Sequence, residues 1–157
     1  MNQNIGKENI ENVIYEIREK QVMLDFDLAR LYQCSSETKT INQTVKRHIK
    51  RFPSRFMFQL TNEEFKKLQS QIGTTKYNMT RSLPYAFTEQ GVAMLSSVLR
   101  TPVAEEISVR IMDAFVTMRK YISNNLEQQY INNLVLEDHE NIKILQESFS
   151  KFELFSK

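Results

Sequence analysis

Apolar residues recur along this chain at two spacings, every second residue or every third and fourth, and the switches between them mark its elements. Residues 13–24 hold two β-rich runs flanking the charged Arg18-Glu19-Lys20, which predicts a β-hairpin, although no Asn-Gly or Asp-Gly marks its turn. Leu28, Leu31 and Tyr32 follow with the spacing of a short helix, and Asp25 is its expected N-cap. Beyond a polar turn, Ile41, Val45, Ile49 and Phe52 predict a second helix near residues 40–51, stopped by Pro53. Phe56, Phe58 and Leu60 then alternate with Met57 and Gln59 as a strand. Thr61 and Glu64 fit a capping box opening a helix through Phe65, Leu68 and Ile72. Residues 73–82 have no period and read as a loop, and residues 83–87 return as a strand. Thr88 caps a helix with Val92, Leu95, Val98 and Leu99 inward, ending at Arg100. Thr101 as N-cap and Pro102 as first helical residue open another, whose stripe is Val103, Ile107, Ile111, Phe115, Met118 and Ile122.

This order of elements predicts an α+β fold: a compact helix-turn-helix, winged-helix-like domain with short β-strands, followed by a C-terminal helical tail. The expected organisation is a flexible N-terminus over residues 1–12, the domain over 13–122 and the tail over 123–157. In the tail, Ile131, Val135, Asp138, Ile142, Leu145, Phe149 and Phe152 step by four and three, the seam of a coiled coil with one polar member. The expectation is a homodimer joined through that helix; an amphipathic helix folded back on its own domain is the alternative.

Charge changes the picture at one place. The chain of 157 residues carries a net charge of only +2, but residues 123–157 hold three Lys and six Asp or Glu, so the rest is basic. Lys39, Lys46, Arg47, Lys50, Arg51 and Arg55 crowd a stretch with no acid between Glu37 and Glu63. On the expected second helix, Lys39, Gln43, Lys46, Arg47 and Lys50 fall opposite the apolar stripe. Such a helix can read duplex DNA: Asn42, Gln43 and Arg47 are the candidate base contacts, Lys39, Lys46, Lys50 and Arg55 the candidate phosphate contacts, and Arg51 a further candidate DNA-binding residue. Lys76 and Arg81 in the loop after the third helix would add backbone contacts if that loop acts as a wing; a plain loop is the other reading. His48 is read as bordering the core.

The words Val22-Met23-Leu24-Asp25, Asp27-Leu28-Ala29, Leu31-Tyr32, Asn42 with Val45-Lys46-Arg47, Arg51-Phe52-Pro53 and Phe56-Met57-Phe58-Gln59-Leu60 stand in order, ahead of an unbroken block from Leu83 to Leu99. In these the chain resembles the phage KilA-N-type DNA-binding domains, and among them the Orf-six N-terminal class of antirepressor-like phage and prophage proteins, over residues 13–121. The resemblance implies an α+β domain that binds double-stranded DNA in transcription regulation of a phage or mobile-element programme. It leaves open the operator and the direction of regulation. A second function class is an antirepressor that acts by contact with a repressor protein, through the tail or the surface over residues 85–99.

Catalysis is not expected. There is no metal-ligand spacing, phosphate-cradling glycine loop or nucleophile motif, and no cofactor is implied. Asp25 and Asp27 are read as helix-start acids rather than metal ligands. The lone Cys34 has no disulfide partner and is expected to act as a buried hydrophobe. No stretch has the roughly 20 apolar residues of a membrane span, so the protein is placed in the cytoplasm of a bacterial host cell.

Overall fold

The computed structural model describes residues 9–72 and 82–155. Its fold is α+β, and among the described residues the elements run β1 Tyr15–Ile17, β2 Lys20–Leu24, α1 Asp25–Leu31, α2 Thr38–Arg47, β3 Met57–Gln59, α3 Asn62–Ile72, β4 Tyr85–Thr88, α4 Glu89–Val98 and α5 Ala104–Phe155. The strands form one antiparallel sheet in the order β1-β2-β4-β3. The hairpin turns through Arg18 and Glu19, both with left-handed φ (55° and 61°), so the chain makes without glycine the turn for which Asn-Gly is the usual signal.

Strand periodicity distributes the core over both faces of the sheet. Val22, Leu24 and Ala86 pack with Phe58, Leu60 and the α3 residues Phe65 and Leu68. Met23 and Phe87, paired across β2 and β4, are also fully buried, and Phe87 meets the Phe52 ring edge-on at 6.3 Å. Helices α1 and α4 both pack against β2 and β4. The end of α1 is tied to α5 by a 2.9 Å hydrogen bond between the Tyr32 and Ser108 hydroxyls. Gly91 is required at the start of α4, because a Cβ there would lie 2.0 Å from the Phe56 carbonyl oxygen.

Several local expectations change. Asp25 is the first residue of α1 and not its cap: Leu24 holds the N-cap position, and the buried Asp25 carboxylate accepts the Tyr85 N–H from β4 at 3.1 Å. The second helix ends at Arg47, and Ile49–Arg51 is a 3-10 turn. Phe52, ahead of Pro53, is barred from the α region (φ −121°, ψ 67°), so the chain tightens before it; Ile49 rotates out of the apolar stripe to 57% exposure while Phe52 stays buried. Thr101 does not cap the last helix, since its carbonyl accepts the Ala104 N–H in a turn and α5 starts at Ala104. The buried stripe of α5 holds through Ile107, Ile111 and Phe115 but not to Ile122, which is exposed. Cys34 is half-buried, and burial pushes its thiol pKa up, away from the reactive thiolate.

The chain divides into two units at residue 117. The second unit, described by itself, is helical through residue 155, and all six apolar members of the seam are exposed there, from 45% at Ile131 to 69% at Phe152. Among the described residues no helix is long and apolar enough to cross a membrane.

Candidate nucleic-acid interface

Helices α1 and α2 pack together across a six-residue turn, the arrangement of a helix-turn-helix. The turn has no glycine. Instead the Cys34 N–H bonds to the Ala29 carbonyl and the Gln33 N–H to the Arg30 carbonyl, at 2.9 and 3.1 Å, and Gln33 takes the left-handed conformation (φ 55°). This is a Schellman ending with glutamine in glycine's place.

Ile41, Thr44 and Val45 anchor α2 in the core. That orientation leaves Lys39, Gln43, Lys46 and Arg47 exposed and Asn42 half-buried on the flank. Thr44 is buried with its hydroxyl donated back to the Thr40 carbonyl at 2.8 Å, the bond that lets a threonine sit inside a helix. Lys50 and Arg51 are exposed on the 3-10 turn and not on α2 itself. Arg55 is exposed with its guanidinium 5.2 Å from the centre of the Phe56 ring, and its carbonyl accepts the Thr88 hydroxyl at 3.2 Å. The same threonine accepts the Gly91 N–H as the cap of α4 and donates its amide to the Phe56 carbonyl at 2.9 Å. The segment that follows the basic turn is thereby fastened to the central strand. Lys76 and Arg81, with the loop read as a wing, lie outside the described residues.

The fold also assembles a feature that sequence did not point to. A cleft of about 500 Å³ opens between α2 and the end of α4, and Arg47, His48, Arg51 and Arg100 line it. Arg100, read along the chain, is the cation expected at a helix C-terminus; only the packing of α4 against α2 brings it beside Arg47 and Arg51. Asp25 and Asp27 are engaged within the fold, Asp25 with Tyr85 and Asp27 with Arg30 at 3.3 Å. Among the described residues no group of His, Cys, Asp and Glu is placed to hold a metal ion.

Residues 12–98 match the family model of the ORF6N domain. No curated protein and no solved structure matches the chain.

Proposed function

The chain belongs to the ORF6N domain family, and from that premise we propose that it is a sequence-specific DNA-binding regulator of a phage or prophage, acting in the cytoplasm of a bacterial host. In this reading the domain is of KilA-N type and α2 enters the major groove of double-stranded DNA. Asn42 and Gln43 reach base edges, and Lys39, Lys46, Lys50 and Arg55 hold phosphates. The observation that carries the reading is the exposed face of α2 and the turn after it, with cations and amides and no acid between Glu37 and Glu63. An amide side chain can bond two edge atoms of adenine, and each cation displaces a condensed counterion from the duplex. Two copies of the chain pair through the exposed seam of α5, which matches two DNA half-sites to two reading helices.

The test is fluorescence-anisotropy titration of a random duplex at several salt concentrations, with the wild type and a Lys46→Glu/Lys50→Glu variant. The expected result is wild-type binding that weakens steeply with salt and is abolished in the variant. Binding by neither protein at low salt would sink the reading.

The exposed seam favours one second reading, an antirepressor that captures a repressor protein through α5. Its mark is capture of a repressor that survives the charge reversal in α2 and is lost when the seam is made polar. The surface over residues 85–99 is the weaker candidate for such a contact, because Ala86, Phe87, Val92, Leu95 and Leu99 are all spent on the core.

A further inference from the structure

The basic run does not form one surface. Lys39, Gln43 and Lys46 point outward from the middle of the exposed face of α2, whereas Arg47 lies on the flank with Thr40 and Thr44 and lines the cleft toward α4. The 3-10 turn carries Arg51 into the same cleft and leaves Lys50 outside its lining, and Arg100 closes it from the end of α4. Three arginines therefore line one cleft whose lining contains no acid. Among the described residues none of the three side chains has a hydrogen-bond or ion-pair partner.

The other polar groups sharpen what the cleft can accept. The Thr44 hydroxyl has donated its proton to the Thr40 carbonyl, and the Ser97 hydroxyl has donated its own to the Met94 carbonyl at 2.6 Å. Beside Thr40 and His48 the cleft holds three arginines, whose planar guanidinium forks fit the oxygens of a phosphate. The cleft lining holds no Phe, Tyr or Trp ring to stack on a nucleobase, and His48 is the ring that it does hold. Like charges held together without an acid repel one another until an anion enters.

Geometry selects the source of that anion. An α-helix with its side chains is roughly 10–12 Å across and the major groove roughly 12 Å wide, so a helix lying in the groove fills it and turns its flank to the sugar–phosphate backbone. We propose that the cleft formed by Arg47, Arg51 and Arg100 is a clamp for a backbone phosphate of duplex DNA, so that Arg47 positions the reading helix and Arg100 is a DNA-contacting residue outside the basic run. This inference rests on the DNA-binding reading above and assigns Arg47 a phosphate in place of the base edge suggested by sequence.

The experiment combines random-duplex titration over a salt series with selection of preferred sites from a randomised duplex library, for the wild type, Arg100→Gln, Arg47→Gln and Lys46→Gln. All four are checked for unchanged thermal melting, and each substituted side chain is at the surface. Arg100→Gln is expected to weaken random duplex severalfold and to flatten the log–log salt slope by up to about 0.9, the value of one whole phosphate contact. Arg47→Gln is expected to weaken every sequence alike and to return the wild-type selected site. An unchanged salt slope in Arg100→Gln beside a reduced one in Lys46→Gln would overturn the clamp while leaving the DNA-binding reading intact; a changed selected site in Arg47→Gln would return that residue to base reading. Calorimetry with inorganic phosphate separates the sources: binding lost in Arg100→Gln, with duplex affinity untouched by the same change, overturns the assignment to DNA in favour of a free phosphate ligand.

Discussion

The Arg18 guanidinium, at the hairpin turn, grips the Glu64 carboxylate in the first turn of α3 with two hydrogen bonds of 2.8 and 2.9 Å. Glu64 also accepts the Thr61 N–H while the Thr61 hydroxyl accepts the Glu64 N–H, so one carboxylate closes a capping box and an ion pair between elements 46 residues apart. Arg18 meanwhile lies over the Phe58 ring at 4.2 Å, which pins the hairpin across the end of the sheet.

That double duty gives an acid-stability prediction. The Arg18 hydrogen bond, foremost, lowers the Glu64 pKa from 4.5 to about 2. A carboxylate depressed in the folded state adds stability that is present above its unfolded pKa and lost as pH falls through the folded one, so the loss is expected between about pH 4.5 and 2. Glu64→Gln keeps the capping geometry but not the charge. At neutral pH it is expected to cost at most about 1 kcal/mol, the usual worth of a pair open to water, whereas Glu64→Ala also loses the cap. Urea midpoints measured through this range check it: if Glu64→Gln loses stability on acidification as steeply as the wild type, the pair does not contribute.

Asp25 has the opposite sign. Burial raises its pKa from 3.8 to about 6, outweighing the Tyr85 N–H that favours the charged form, and among the described residues its Oδ1 has no partner. A carboxyl with a raised folded pKa supports the fold below its unfolded pKa, and that support fades as pH rises from about 4 to 6. The expected result is a decline in stability over this window in the wild type that is absent in Asp25→Asn, where the amide oxygen still accepts from Tyr85. Parallel profiles for the two proteins would show that the carboxyl titrates normally.

Gln33 offers a stabilising change. A side chain in the left-handed region costs about 1–2 kcal/mol, and glycine's greater freedom in the unfolded chain returns part of that. Gln33→Gly is therefore expected to stabilise the domain by about 0.5–1 kcal/mol without altering DNA affinity. A lower melting temperature would mean that the glutamine side chain makes a contribution larger than its backbone strain.

These residues also show where sequence reading succeeds. The Thr61–Glu64 box, the Thr88 cap and the two short helices are set by groups three or four residues apart, within reach of local spacing. Local spacing assigns Asp25 to a helix cap because an acid at a helix start has a sufficient local explanation, while the N–H it serves arrives from 60 residues away. The spacing of Ile49 suits a helix that the Phe52-Pro53 pair cuts short, so its exposure lies beyond the local pattern. Of the candidate interface, the charge run on α2 was legible, since exposure there follows from the apolar stripe opposite. The convergence of Arg100 on Arg47 and Arg51 was not, because it exists only once α4 packs on α2.

The last prediction concerns the seam of α5. Ile131, Val135, Ile142, Leu145, Phe149 and Phe152 lie on one stripe with the 3.5-residue repeat that two supercoiled helices share, and all are exposed in the single chain. Asp138 interrupts the stripe between Val135 and Ile142. In a parallel pair the two copies of Asp138 face each other and weaken the dimer through like-charge repulsion and desolvation, while marking the register. Ile142→Asp, which adds a second charge to the seam, is expected to dissociate the proposed dimer and to leave the first unit folded. Asp138→Leu is expected to tighten it at least tenfold, because it exchanges a desolvated charge for apolar packing. Sedimentation equilibrium of the full chain and both variants reads these outcomes directly. A wild type that sediments as a monomer at high micromolar concentration, and stays so with Asp138→Leu, would rule out self-pairing and leave the seam to the repressor of the second reading.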